Sequence, residues 1–134
     1  MFGRKSVATL FLFALAALFT SAGTARAQGP ARGPIETPRD PVLEINAKHN
    51  LTVARYYLTK RKAYEGALDR LQEIIDTHPG FSRMDEVLYL MGEANLKLNK
   101  PEEAADYYNR LLKEYPDSEF LKKAREKLEK IKSQ

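Results

Sequence analysis

The sequence predicts an all-α protein made of two antiparallel helical hairpins followed by a C-terminal capping helix. Apolar residues recur every three or four positions after residue 40, which is the periodicity of amphipathic helices. Prolines and glycines lie between these segments, where they end helices. Two stretches of the chain also align with each other at an offset of 37 residues, and such a repeat is typical of stacked hairpins.

The first 27 residues have the pattern of a secretory signal peptide. Arg4 and Lys5 precede an apolar run over residues 7–19, and small residues end the segment at Ala27. This run is shorter than the roughly 20 residues that a membrane-spanning helix needs. We therefore expect cleavage after Ala27, export to the periplasm or cell envelope, and no integral membrane span after cleavage. The chain has no cysteine, so we expect neither a disulfide nor a lipid anchor.

The net charge of +4 comes mostly from this leader. Three of the 22 basic residues and none of the 18 acidic residues lie in residues 1–27, so the remainder carries a net charge of +1. A nearly neutral body attracts phosphate groups weakly, and nucleic acid is therefore not an expected partner. Residues 28–40 are rich in proline and poor in apolar side chains, which predicts a disordered linker before a helical domain over residues 41–134.

Local signals place the first two helices. Asp40 is a candidate N-cap in front of Pro41, so the first helix begins there and extends to about residue 60. The second helix covers about residues 63–77, and the following Pro79 ends it. These two helices form the first predicted hairpin.

The second hairpin and the cap follow similar signals. Ser82 and Asp85 have the spacing of a capping box, which predicts the start of the third helix. Pro101 opens the fourth helix, which stops before Pro116. An amphipathic segment over 119–132, which Asp117 or Ser118 caps, forms the capping helix.

The internal repeat covers about residues 48–81 and 85–118. At the offset of 37, Ala67 aligns with Ala104 and Pro79 aligns with Pro116. Small side chains allow two helix axes to approach closely, so we expect Ala67, Gly92 and Ala104 to lie at helix–helix contacts. The two prolines fix the helix ends at equal distances from these contacts.

With these residues the chain resembles the tetratricopeptide repeat (TPR) family. In the second copy, the residues on signature positions are Leu88, Met91, Gly92, Asn95, Ala104, Tyr108, Leu111 and Pro116. Asn95 stands where the family usually has tyrosine, and Arg55 stands at the glycine position of the first copy. The resemblance implies an α-solenoid in which the first helix of each hairpin lines a concave, peptide-binding groove.

A narrower resemblance is to the BamD-like outer membrane assembly lipoproteins and related periplasmic TPR proteins. It depends on the sequence runs Ala67–Pro79 and Ala104–Ser118. This resemblance implies a scaffold of the cell envelope that binds a peptide or a partner protein during outer-membrane protein assembly. An accessory role in cell-wall synthesis or envelope integrity is the alternative that the same residues would serve.

The groove of the TPR family, carried over to this chain, selects one stripe on the first helix of each hairpin. The candidate binding residues are His49, Thr52, Tyr56, Lys60, Glu86, Tyr89, Glu93 and Lys97. Tyrosines flanked by charges suit a peptide, because the rings supply contact area and the charges set the register. The alternative is that these are ordinary surface residues and that the tyrosines pack partly inside.

The sequence contains no arrangement of residues that is typical of an enzyme. His49 and His78 are the only histidines, and neither has a second metal ligand at helical spacing. A helix-ending turn at His78 favours a capping or solvent-exposed histidine. No phosphate-binding loop or nucleophile motif is present in the sequence. We therefore expect no catalytic residues, no cofactor and no metal, and the oligomeric state stays open.

Overall fold

The computed structural model describes residues 40–133, which fold into five α-helices. The predicted signal peptide (1–27) and all but the last residue of the predicted linker (28–40) lie outside the described residues. The helices are α1 (Pro41–Tyr56), α2 (Tyr64–Thr77), α3 (Met84–Lys97), α4 (Pro101–Glu114) and α5 (Leu121–Lys132). No strand occurs between residues 40 and 133. The predicted fold class, two antiparallel hairpins with a C-terminal capping helix, is confirmed.

The hairpin α1–α2 begins with the predicted cap. The Asp40 carboxylate accepts a hydrogen bond of 2.8 Å from the Val42 amide, and Pro41 occupies the first turn, where no donor is lost. A single π-helical turn over Tyr57–Arg61 extends α1. The chain then reverses at Lys62, whose φ of 53° lies in the left-handed region.

The hairpin α3–α4 reverses in the same way. Asn99 has a φ of 59° and lies 37 residues after Lys62, so the repeat extends to the backbone conformation of the turn. Asparagine tolerates this left-handed conformation better than most residues. Pro101 then opens α4, as the sequence predicts.

The predicted capping box at the start of α3 is wrong. Arg83 is the N-cap residue and makes no side-chain cap. The Ser82 hydroxyl instead donates to Glu44 of α1, and Asp85 accepts a 2.7 Å hydrogen bond from the Ser118 hydroxyl. Both side chains thus hold distant segments together rather than closing the local helix end.

The 37-residue interval of the repeat also separates α3 from α5. α3 begins at Met84 and α5 begins at Leu121, again 37 residues later. α5 packs on α4 as α3 packs on α2. The C-terminal helix therefore occupies the position that the first helix of a third hairpin would have. Its buried residues, Ala124 and Leu128, face the second hairpin, and the rest of α5 is mostly charged.

The small residues lie where helices meet. Ala67 and Ala104 have no exposed surface. A Cβ atom at Gly92 would lie 2.9 Å from Cδ1 of Tyr108, and closer still to two other carbons of that ring. All three residues are buried in the structure. Pro79 and Pro116 are exposed and lie two residues after the last residues of α2 and α4, at the two equivalent helix ends.

The first hairpin makes its close contact with different residues. Arg55 and Leu71 hold the positions that Gly92 and Tyr108 hold in the second hairpin. The ring of Tyr57, at the end of α1, lies over Gly66 of α2, where an added Cβ would be 3.1 Å from the ring carbons. Each hairpin thus places an aromatic ring on a glycine. The ring belongs to the first helix in the first hairpin and to the second helix in the second hairpin.

Candidate protein-binding surfaces

One face of α1 is unusually apolar for a surface. Val42, Ile45, His49, Thr52 and Tyr56 are spaced alternately by three and four residues, so they form one stripe along the helix. All five are exposed, and Val42, Ile45 and Tyr56 expose 64%, 65% and 50% of their surface. We name these five residues the open α1 face; it lies opposite the buried side of the helix. Large apolar side chains exposed together are a recognised mark of an interaction surface.

The charge beside the open α1 face is positive at one end. Lys60, Arg61 and Lys62 follow Tyr56 and are all exposed. None of the three makes an ion pair with any residue between 40 and 133. The open α1 face therefore ends beside a basic patch, which consists of Lys60, Arg61 and Lys62.

The first half of the predicted groove lies on this surface. His49, Thr52 and Tyr56 belong to the open α1 face, and Lys60 lies in the π-helical turn beyond it. Val42 and Ile45, also on this face, are not among the predicted groove residues. The signal was present, because the spacing of three and four residues continues upstream of His49.

Glu86, from the second half of the predicted groove, is buried. It is only 6% exposed, and its carboxylate pairs with the guanidinium groups of Arg55 and Arg83. The Arg55 Nε–Glu86 Oε1 distance is 2.6 Å. The prediction that Glu86 faces an open groove is therefore corrected: the side chain links α1 to α3, because a buried carboxylate needs opposite charges around it.

Tyr89 and Glu93 are half-buried under the neighbouring helices. The Tyr89 ring stacks on Phe120 with centroids 5.0 Å apart, and it also contacts Tyr108. Burial, with the nearby Glu93 carboxylate, raises the pKa of Tyr89 to about 12. Glu93 accepts a 2.6 Å hydrogen bond from the Tyr108 hydroxyl and pairs with Lys127 of α5 at 2.8 Å.

Three of the four residues in the second half of the predicted groove thus contact other side chains of the same molecule. Burial, together with Glu93, raises the pKa of Tyr108 far above its ordinary value of 10. Lys97, at the end of α3, is exposed. Of the eight predicted residues, the structure leaves His49, Thr52, Tyr56, Lys60 and Lys97 on the surface.

A polar cluster near the start of α1 was not foreseen. His78 caps the end of α2, as expected, but it is 7% exposed, and its Nε2 lies 3.1 Å from Glu44 Oε2. The expectation of solvent exposure is corrected. Burial alone would raise the pKa of Glu44, but hydrogen bonds from Ser82 and His78 and the charge of Lys48 outweigh it, so its pKa lies below the usual value.

The described residues show two further properties that bear on function. No group of three or more potential metal ligands comes together within residues 40–133. Over the same range, the helices are too short or too polar to cross a lipid bilayer.

Residues 86–118, which cover α3, α4 and the turn after them, match the family model described as a tetratricopeptide repeat. This segment is therefore similar to a TPR. The match coincides with the better-preserved copy in the sequence, in which the ring of Tyr108 lies over Gly92.

The chain is also similar to an outer membrane protein assembly factor, BamD. It is 40% identical to BamD of Neisseria meningitidis serogroup B over 74 residues, which are 55% of this chain and 27% of the relative. It is 38% identical to BamD of Neisseria gonorrhoeae over 73 residues, again 27% of that protein. The chain thus spans about a quarter of the length of these relatives. No solved structure matches it significantly. The predicted resemblance to TPR proteins and to BamD is confirmed.

Proposed function

We propose that this chain is a TPR scaffold of the cell envelope that binds a protein partner during outer-membrane protein assembly. The TPR and the similarity to BamD support protein binding as the activity. The leader predicted from residues 1–27 supports export to the envelope. Binding, rather than catalysis, is the role that the exposed surfaces of residues 40–133 suit.

The observation that carries this proposal is the open α1 face. An apolar stripe with spacing of three and four residues is complementary to the apolar stripe of another helix, which packs along it. The neighbouring Lys60, Arg61 and Lys62 attract acidic side chains and repel basic ones. The occupant that we propose is an amphipathic helical segment of the partner, apolar on one side and acidic beside the basic patch.

A second copy of the chain fits this face less well. In a dimer formed through this face, the basic patch of one copy would lie near α1 of the other copy. Glu44 of α1 could offer it a negative charge, but Ser82, His78 and Lys48 already engage this carboxylate. The charges therefore favour a different, acidic partner over self-association.

Site-specific photocrosslinking tests the proposal directly. We would replace Thr52, at the middle of the open α1 face, with a photoreactive phenylalanine analogue in the processed chain and identify crosslinked proteins in envelope preparations. We expect a discrete product with a component of outer-membrane protein assembly. Ile45→Asp should lower its yield at least fivefold, since it places a charge in the apolar stripe. Asn109→Asp adds the same charge on the exposed side of α4 and should leave the yield unchanged.

Two results would contradict the proposal. A yield that Ile45→Asp leaves unchanged would show that the open α1 face does not bind the partner. If the chain crosslinks only to proteins of cell-wall synthesis, a role in outer-membrane protein assembly is wrong and the alternative role in the envelope is supported. Circular dichroism of the Ile45→Asp variant should show an unchanged helical content, because Ile45 is 65% exposed and its loss removes little packing.

A further inference from the structure

A second candidate site lies between the two hairpins, away from the open α1 face. Side chains of α2, α3 and α4 enclose a cleft of about 260 Å³. Its apolar wall consists of Leu68, Met91 and Tyr107, which come from all three helices. The cleft is therefore wide enough for one long side chain and offers apolar contact for its stem.

The floor of the cleft carries a buried amide. Asn95 lines the cleft and is only 5% exposed. Its Nδ2 donates a 2.8 Å hydrogen bond to the backbone carbonyl of Met91, which assigns nitrogen and oxygen of the amide because a carbonyl needs a donor. Oδ1 has no hydrogen-bond partner between residues 40 and 133. Oδ1 is not fully buried but keeps some contact with solvent at the cleft, so it can accept a hydrogen bond from a donor that enters there.

The rim of the cleft is negative. Asp69 of α2 and Glu103 of α4 both line it, and neither makes an ion pair within the described part of the chain. Gln72 also lines the cleft, and its Nε2 donates to Asp76, which leaves the side-chain oxygen as an acceptor. The polar groups of the cleft thus offer acceptors and negative charge, while its apolar wall suits a hydrocarbon stem.

We propose that this cleft binds an arginine side chain of the partner polypeptide. The aliphatic stem would contact Leu68, Met91 and Tyr107, and the guanidinium would donate to Asp69, Glu103 and Asn95 Oδ1. Arginine fits better than lysine, because its planar group has five donors and can satisfy several acceptors at once. The inference rests on the proposed binding function, which it deepens by naming a side chain that the partner must present.

Titration with a small probe tests the site without the natural partner. We would follow backbone amide NMR signals of the processed chain during addition of N-acetyl-arginine amide. We expect saturable shifts at Leu68, Met91 and Tyr107 with a Kd on the order of 1 mM, which is typical for a ligand of this size. N-acetyl-citrulline amide has nearly the same shape without the charge, and it should bind at least tenfold more weakly.

The internal repeat supplies a matched control. Asp69→Asn and Glu103→Gln each remove one charge from an exposed side chain and should each weaken binding about threefold to tenfold. Asp106 occupies the position of Asp69 in the second repeat, is exposed, and does not line the cleft. Asp106→Asn should therefore leave the Kd unchanged.

Several results would overturn the inference. Equal binding of the citrulline probe would show that charge is not recognised, and tighter binding of N-acetyl-lysine amide would exclude the guanidinium as the preferred group. Absence of shifts at roughly 20 mM probe, far above the expected Kd, would mean that the cleft binds no such side chain. Crosslinking at the open α1 face does not involve this cleft, so failure of one experiment leaves the other interpretable.

Discussion

The two hairpins have the same backbone plan and opposite close contacts. In the second hairpin, a tyrosine of α4 (Tyr108) covers a glycine of α3 (Gly92). In the first, a tyrosine at the end of α1 (Tyr57) covers a glycine of α2 (Gly66). The fold therefore requires one small residue beneath one ring in each hairpin, and it does not require a fixed helix to supply the ring.

The two contacts differ in how tightly they hold the helices. Tyr108 is fully buried and donates to Glu93, which in turn pairs with Lys127 of α5. Tyr57 is half-buried and lies 3.1 Å from the Cβ position of Gly66, so its ring has room to shift. We expect the second hairpin to tolerate change much less than the first.

The largest effect should follow the removal of the buried ring. Tyr108→Ala leaves a cavity beneath α3 and removes the hydroxyl that donates to Glu93, and it should lower the free energy of unfolding by about 4 kcal/mol. Leu71→Ala, at the equivalent position of the first hairpin, should cost about 3 kcal/mol, because the deleted side chain is smaller. Urea unfolding monitored by circular dichroism measures both. A smaller loss of stability for Tyr108→Ala than for Leu71→Ala would contradict the expectation that the second hairpin tolerates substitution less than the first.

An intermediate effect is expected from adding one methyl group. Gly92→Ala places a Cβ inside the contact distance of the Tyr108 ring and should cost about 2 to 3 kcal/mol. Gly66→Ala should change stability by less than about 1 kcal/mol, because the helix propensity of alanine offsets a mild contact with Tyr57.

A double substitution sharpens this test. Combining Gly92→Ala with Tyr108→Leu imitates the leucine of the first hairpin and removes the ring that the methyl group meets. If the contact is the cause, the added cost of Gly92→Ala should fall below about 1 kcal/mol in the Tyr108→Leu background. If Gly92→Ala costs as much in the Tyr108→Leu background as in the native chain, its effect arises within α3 and not from the contact with the ring.

The smallest effect appears only at alkaline pH. The folded chain raises the pKa of Tyr89 to about 12, above the value of about 10 in an unfolded chain. Folding thus favours the protonated phenol, so this contribution to stability is complete below pH 10 and is lost as the pH rises through about 12. Absorbance at 295 nm should show a late phenolate component that disappears in Tyr89→Phe. If Tyr89→Phe instead removes a component that titrates near pH 10, the side chain of Tyr89 is exposed to solvent in the folded chain. The first hairpin has Thr52 at this position and makes no such contribution.

Local sequence signals were sufficient for the helices but not for the surfaces. Asp40 was predicted correctly because an N-cap acts on amides two or three residues away. Ser82 has an equally good local pattern, yet a carboxylate 38 residues away, Glu44, engages its hydroxyl. Local patterns carry no information on such distant competitors, so the capping box could not be excluded from the sequence.

The same reason explains the result for the groove. Tyr56 was placed on the surface correctly, because helical periodicity alone separates the two sides of α1. Glu86 and Tyr89 share that periodicity, but their neighbours Arg55 and Phe120 come from elements 31 residues away in each case. The acceptor cleft around Asn95 likewise depends on three helices meeting, and no single segment of the sequence marks it.

The recurrence of the 37-residue interval at α5 has a practical consequence for the architecture. Because residues 84–120 begin and end at equivalent points of the helical stack, a tandem duplication of this stretch would place every junction between helices in register. The α5 cap would then seat on the new second copy as it does on the present one. The helical stack is thus modular in units of one hairpin, and only the packing of the second α3 on α4 would be a new interface.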